Sequence, residues 1–179
     1  MIKLLDILNE DKDKKILIPR RIEQRKEDYK RITNKKIQDY IKNGCKGNLY
    51  LNNTPITSLP DNLIEVGGRL DLSNTPITSL PNGLKVRGSL NLTNIQITSL
   101  PDGLEVGGDL SLINTKITSL PNGLKVGGWL SLYNTQITSL PNDLEVEGNL
   151  YLFNTPLSKK YTEEQIRKMV PGVKGNIYI

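Results

Sequence analysis

The chain has 179 residues, a formal net charge of +5, no histidine and one cysteine, Cys45, which is the size of one domain. The missing histidine excludes Ser-His-Asp and Cys-His catalysis, histidine-bearing zinc sites and the usual switch near neutral pH, and a lone cysteine excludes an internal disulfide framework. No apolar run approaches the ~20 residues of a membrane span. The opening MIKLLDILNEDKDKK is too short and too acid-interrupted in its apolar part for a signal peptide, so a cytoplasmic protein with no cofactor, no metal and no membrane partner is expected.

The charge is unevenly spread. Residues 1–46 hold 14 Lys and Arg against 8 Asp and Glu, whereas residues 47–179 hold 10 against 11. Residues 1–31 read as a basic N-terminal arm containing a short helix. Its cluster Arg20, Arg21, Arg25, Lys26, Lys30 and Arg31 has two readings. It can meet phosphates of nucleic acid, or it can be a solvated helix face interleaved with Glu23, Glu27 and Asp28. Little aromatic interleaving and no nucleic-acid fold motif favour the second. Residues 32–46 read as a helical cap, with Ile37, Tyr40 and Ile41 on one face, Gly44 ending the helix and Cys45 beneath it.

From residue 47 to residue 157 the chain repeats itself. Glycines open the copies at 47, 68, 88, 108, 128 and 148, and the shared pattern is G-x-L-x-L-x-N-T-x-I-T-S-L-P-x-x-L-x-V-x. In G-x-L-x-L the apolar residues alternate, the period of a strand with one buried face. Each copy adds an inward Ile, the Leu of SLP, the next Leu and a Val. One coil cannot bury six aliphatics alone, but stacked coils ~4.8 Å apart can. With a partial copy, GNIYI, at residues 175–179, about seven coils are expected. The residue before each Val reads Glu65, Lys85, Glu105, Lys125, Glu145, so stacking predicts a column of alternating charge.

The run L-x-L-x-x-T-x-I resembles the leucine-rich repeat pattern L-x-x-L-x-L-x-x-N-x-L from its second leucine onward. Five consecutive copies share I-T-S-L-P, and the 20-residue period resembles the short bacterial class of that family. The resemblance implies a β-dominated α/β-type solenoid whose convex side is extended, because a proline in every coil removes a helix donor. The family's asparagine slot falls on Thr54, Thr75, Thr115, Thr135 and Thr155, and the asparagines stand one place earlier. Ile95 breaks the threonine ladder and should leave its turn one polar partner short. The ends IQDYIKNGCKGNLYL and GVKGNIYI resemble those of short stand-alone repeat proteins of phage, phage-like and bacterial genomes.

Residues 158–179 read as a C-terminal cap helix and a last strand. TEEQIRKMVPG carries a Thr162/Gln165 capping box, with Ile166, Met169 and Val170 on one face.

Residues between the inward leucines face the concave surface, where the resembled family usually binds partners. The column after the opening Gly runs Asn48, Arg69, Ser89, Asp109, Trp129, Asn149, Asn176. The column between the leucines runs Tyr50, Asp71, Asn91, Ser111, Ser131, Tyr151, Tyr178, and the next one Asn52, Ser73, Thr93, Ile113, Tyr133, Phe153. Trp129, Tyr133, Phe153, Tyr151, Ile113 and Tyr178 therefore gather an aromatic patch on the later coils, with Arg69, Asp71 and Asp109 beside it. Such a patch either binds a protein partner or stabilises the sheet by cross-strand packing. No enzyme is expected. Some bacterial effectors with this repeat class carry a Cys-x-Asp ubiquitin-ligase domain, but here the cysteine reads Cys45-Lys46-Gly47. A protein-interaction module, or a structural component of a phage particle docked through the arm, is what the resemblance implies.

Overall fold

A computed structural model describes the backbone of residues 4–179 and the side chains from Ile22 onward, Lys26 excepted. The chain opens with a helix, α1 (Leu4–Lys42), which runs unbroken through the expected boundary at residue 31. Arm and cap are thus one helix, and the described side chains that pack on the rest of the molecule lie in its last turns. Ile37 is fully buried there, Tyr40 and Ile41 pack beside it, and Gly44 at φ +74° ends the helix. The Tyr40 hydroxyl lies 2.6 and 2.8 Å from the carbonyls of Cys45 and Gly47 and accepts the Gly67 N–H, which ties α1 to the first coil.

The repeats wind into a parallel solenoid whose first five coils each place two residues in each of two sheets. The first sheet holds β1 (Leu49–Tyr50), β3 (Leu70–Asp71), β5 (Leu90–Asn91), β7 (Leu110–Ser111), β9 (Leu130–Ser131), β11 (Leu150–Tyr151) and β12 (Ile177–Tyr178), in that spatial order. The second holds β2 (Glu65–Val66), β4 (Lys85–Val86), β6 (Glu105–Val106), β8 (Lys125–Val126) and β10 (Glu145–Val146). The sequence pattern predicts an extended return path. The structure adds that this path is itself a sheet, because every E-V or K-V pair reaches its neighbour in register, Glu105 opposite Lys125 for example.

The expected count of about seven coils is corrected to about five. All seven strands of the first sheet form, but among the described residues only five coils also contribute to the second sheet. After β11 the return path is helical: α2 (Pro156–Lys160), then α3 (Glu163–Met169), with a single bridge between Val146 and Val173. Thr162 accepts the Gln165 N–H and Gln165 Oε1 accepts the Thr162 N–H, so the expected capping box starts α3. Ile166 and Val170 are fully buried beneath the last coil. The sequence reading lacks α2, although Thr155-Pro156 followed by Ser158 carries its signal. Thr155 caps it, Pro156 fits the first turn, and Ser158 returns the reciprocal bond.

The core is one continuous stack of aliphatic columns, among them Leu70/Leu90/Leu110/Leu130 and Ile77/Ile97/Ile117/Ile137, all at or near zero exposure. Two devices hold the turn after each first-sheet strand. The Thr hydroxyls of 54, 75, 115, 135 and 155 donate to the carbonyl three residues back at 2.6–2.8 Å, for example Thr135 to Leu132. Ile95, fully buried, has no hydroxyl to offer Leu92, as its sequence position implies. The asparagine just before each of these positions adopts the left-handed conformation, with φ between 55° and 60° from Asn53 to Asn154. Asparagine tolerates that region better than other residues with a Cβ. From Asn74 onward each side chain also donates its amide N–H to the asparagine one coil earlier, forming a ladder from Asn53 to Asn154. The opening glycines answer a different constraint. A Cβ on Gly128 would come within 2.1 Å of Asp109 Oδ1 and 3.0 Å of the Gly108 carbonyl carbon.

Candidate functional site

The column after the opening glycine follows a rule. Asn48 Oδ1 accepts the Arg69 N–H at 2.8 Å, Ser89 Oγ that of Asp109 at 3.1 Å, Asp109 Oδ1 that of Trp129 at 3.0 Å, and Asn149 Oδ1 that of Asn176 at 2.9 Å. A short polar side chain in this slot thus caps the backbone of the next coil, where the peptide turns into the strand. Arg69 and Trp129 carry no acceptor. The N–H groups that follow them by one coil, Ser89 and Asn149, have no acceptor among the described residues. Both residues therefore stand at the slot at the expense of one main-chain hydrogen bond, worth ~0.5–1.5 kcal/mol net. Residues that break a local structural rule are where functional residues are expected.

Trp129 is half-buried and meets the Tyr151 ring edge-on, with centroids 6.2 Å apart. Tyr151 stacks on Tyr178 at 5.1 Å, and Tyr178 on Phe153 at 6.3 Å. The aromatics of the last coils thus form one connected cluster, much of it open to solvent. Tyr133 is 45% exposed, Phe153 40% and Tyr178 37%, with Ile113 partly exposed beside them. Asn149 and Asn176 donate to the hydroxyls of Tyr151 and Tyr178 two residues on, and Asn48 does the same for Tyr50 at the other end of the sheet.

The middle column is less accessible than alternation alone suggests. Asp71, Ser111 and Ser131 are buried. Asp71 accepts from Arg69 at 2.8 Å, from the Ser73 hydroxyl at 2.7 Å, from the Ser73 N–H at 3.1 Å and from Asn91 at 3.3 Å. Burial pushes its pKa up, but the bonds from Ser73, Arg69 and Asn91 outweigh burial and hold the carboxyl below the ordinary aspartate value. Asp109 differs. Its carboxylate is partly exposed and uses one oxygen on Trp129.

Between the two large residues of the first column the small ones leave a depression of about 140 Å³, lined by Arg69, Ser89, Asn91, Asp109, Ser111 and Trp129 with Leu90 and Thr93. A larger groove, about 660 Å³, follows the second sheet. Its charges are consumed internally, with Lys85 to Glu105 at 2.8 Å, Lys125 to Glu145 at 2.9 Å, Lys174 to Glu147 at 2.7 Å, and Arg87 bonded to Glu65. The first two pairs belong to the alternating column that the sequence predicts, whose five residues lie opposite one another in register, whereas Lys174, Glu147 and Arg87 stand outside it.

Of the basic cluster, Arg25, Lys30 and Arg31 lie exposed on α1, and Arg31 sits 3.6 Å from Asp28. The side chains of Arg20, Arg21 and Lys26 fall outside the described residues. Cys45 is half-buried at φ 56°, and burial, then the nearby Glu65 charge, raises its thiol pKa. Among the described residues no group of three or more Cys, Asp or Glu side chains could hold a metal ion, and no helix is long and apolar enough to cross a membrane.

The features that distinguish this face of the first sheet are therefore two bulky departures from a small-residue column, a polar depression between them and an aromatic cluster beyond. No known family model matches the chain, and no curated protein matches it.

Proposed function

We infer that the chain is a non-enzymatic leucine-rich repeat module of the short bacterial and phage type, and that it binds a protein partner through its concave face. The observation that carries this reading is the connected cluster of Trp129, Tyr151, Tyr178 and Phe153 on the last coils, with the exposed Tyr133 one coil before Phe153 in the same column. Each such side chain can bury ~150–250 Å², and a standard interface takes ~800 Å² per partner. The cluster can supply most of an interface core, and aromatic and Arg side chains are enriched in such cores. Arg69 and Asp109 extend it as polar rim. The double variant Trp129→Ala with Tyr133→Ala abolishes capture of the partner from a lysate of the native host and leaves the fold intact. Capture unchanged, with stability lost, would count against the reading.

A second reading rests on α1. At ~1.5 Å per residue, its 39 residues extend for about 58 Å, and its described contacts with the solenoid lie in the last turns. Ile22, Tyr29 and Ile32 are 50%, 62% and 62% exposed along the free part. This suits a component of a phage particle or larger assembly docked through residues 1–31. Deleting those residues would release the protein from the assembly, and unchanged incorporation would exclude the docking role.

A further inference from the structure

We propose that the depression between Arg69 and Trp129 is a binding slot for a single pyranose ring, a sugar site that shares Trp129 with the edge of the aromatic cluster and otherwise lies on the coils before it. The slot exists because the first column reads large, small, small, large over four successive coils: Arg69, Ser89, Asp109, Trp129. At ~4.8 Å per coil the two large residues stand roughly 14 Å apart at the backbone. Their side chains wall a space of about 140 Å³, the volume of some four or five waters at ~30 Å³ each.

The chemistry of the walls narrows the ligand. Trp129 offers an indole ring whose negative face suits the weakly positive C–H face of a sugar, and whose Nε1–H has no partner among the described residues. The Ser89 N–H, left without an acceptor by Arg69, is a main-chain donor of a lining residue. Ser89 Oγ accepts from Asp109 and keeps its own proton for donation. Asp109 has one carboxylate oxygen engaged by Trp129 N–H and the other open. Arg69 is 44% exposed at its side chain and spends one nitrogen on Asp71, leaving further guanidinium donors. Donors and acceptors thus alternate around an aromatic wall, the arrangement that vicinal hydroxyls and an apolar ring face satisfy together.

Other ligand classes fit less well. Asp71 neutralises Arg69 and Asp109 adds a negative charge, which disfavours phosphate and carboxylate. A simple cation would face the guanidinium. A wholly apolar ligand would strand the Ser89 N–H and the Asp109 carboxylate, each at a desolvation cost. A neutral polyol ring leaves none of these groups unpaired.

The only tryptophan of the chain lies in the slot, so it reports binding directly. The purified full-length protein is titrated with the methyl glycosides of glucose, galactose, mannose and N-acetylglucosamine, following Trp129 emission and the indole N–H resonance. The same protein is applied to a printed oligosaccharide array, which separates a free monosaccharide ligand from a sugar carried on a polymer. A saturable response to at least one of these sugars is expected. Arg69→Ser restores the capping acceptor for Ser89 N–H while removing the donor wall, and Asp109→Asn keeps the cap on Trp129 N–H while removing the charge. Both variants stay folded and bind the responding sugar at least tenfold more weakly. The proposal is overturned if no glycoside shifts the indole resonance and no printed oligosaccharide is retained, or if both variants bind as the wild type does.

Discussion

Asn114 stands in the middle of the amide ladder and can be used to separate its two roles. Its φ of 57° lies in the left-handed region, its Nδ2 donates to Asn94 Oδ1 at 2.7 Å, and its Oδ1 accepts from Asn134 Nδ2 at 2.7 Å. Asn114→Ala removes both bonds and forces a Cβ without a compensating side-chain bond into that region, at roughly 1–2 kcal/mol. The two exposed bonds contribute near the lower end of ~0.5–1.5 kcal/mol each, so a total loss of about 2–3 kcal/mol is expected. Asn114→Gly loses the same bonds without the steric penalty, but gains freedom in the unfolded chain worth ~0.4–1 kcal/mol. It should therefore cost about 1–2 kcal/mol. At ~2–4 °C per kcal/mol for a chain of this size, the alanine variant melts roughly 4–12 °C below the wild type and the glycine variant lies between them. The assay is thermal unfolding followed by far-ultraviolet dichroism and by Trp129 emission, whose agreement tests whether the stack melts as one unit. Glycine equal to or worse than alanine would refute the backbone component. Two variants indistinguishable from the wild type would refute the ladder altogether.

Two further outcomes are expected. Ile166→Ala, at a fully buried site in α3, leaves a cavity beneath the last coil and costs ~2–5 kcal/mol, and limited proteolysis should then cut first in residues 156–175. The Asp71 carboxyl, held below its ordinary value in the fold, contributes stability that is present above the unfolded-state pKa of ~3.9 and lost as pH falls through the lower folded value. The stability gap between wild type and Asp71→Asn should stay constant above about pH 5 and close below it, and a gap unchanged down to pH 3 would show that the network does not depend on the charge.

The period, the first-sheet strands, the alternating Glu/Lys column and the α3 capping box are all legible in the sequence, because each rests on a spacing that survives any detail of packing. Other features depend on contacts between coils. That Asn74 bonds Asn53, or that Ser89 caps Asp109, requires knowing which atoms meet across a 20-residue step, and alternation reports only which face a residue occupies. The burial of Asp71 and Ser111 is not legible for a related reason: alternation assigns a face, not the exposure of a small side chain on it. The length of α1 is not legible because the sequence divides it by composition, a charged stretch to residue 31 and an apolar face after it, whereas the helix continues across both. The odd residues of the candidate site, Arg69 and Trp129, were visible as exceptions within a column. Only the capping rule says what each exception gives up.

The alternating charges of the second sheet have one more consequence. Adjacent coils are not equivalent: a coil ending in Glu-Val is followed by one ending in Lys-Val, from Glu65 to Glu145. Removing or duplicating one coil would preserve every aliphatic column and the asparagine ladder, yet bring two like charges opposite each other at the junction. Removing or duplicating two restores the alternation. The solenoid thus obeys a parity condition, and the unit by which it can be shortened or lengthened without a mismatch is a 40-residue pair of coils rather than the 20-residue repeat that the eye first finds.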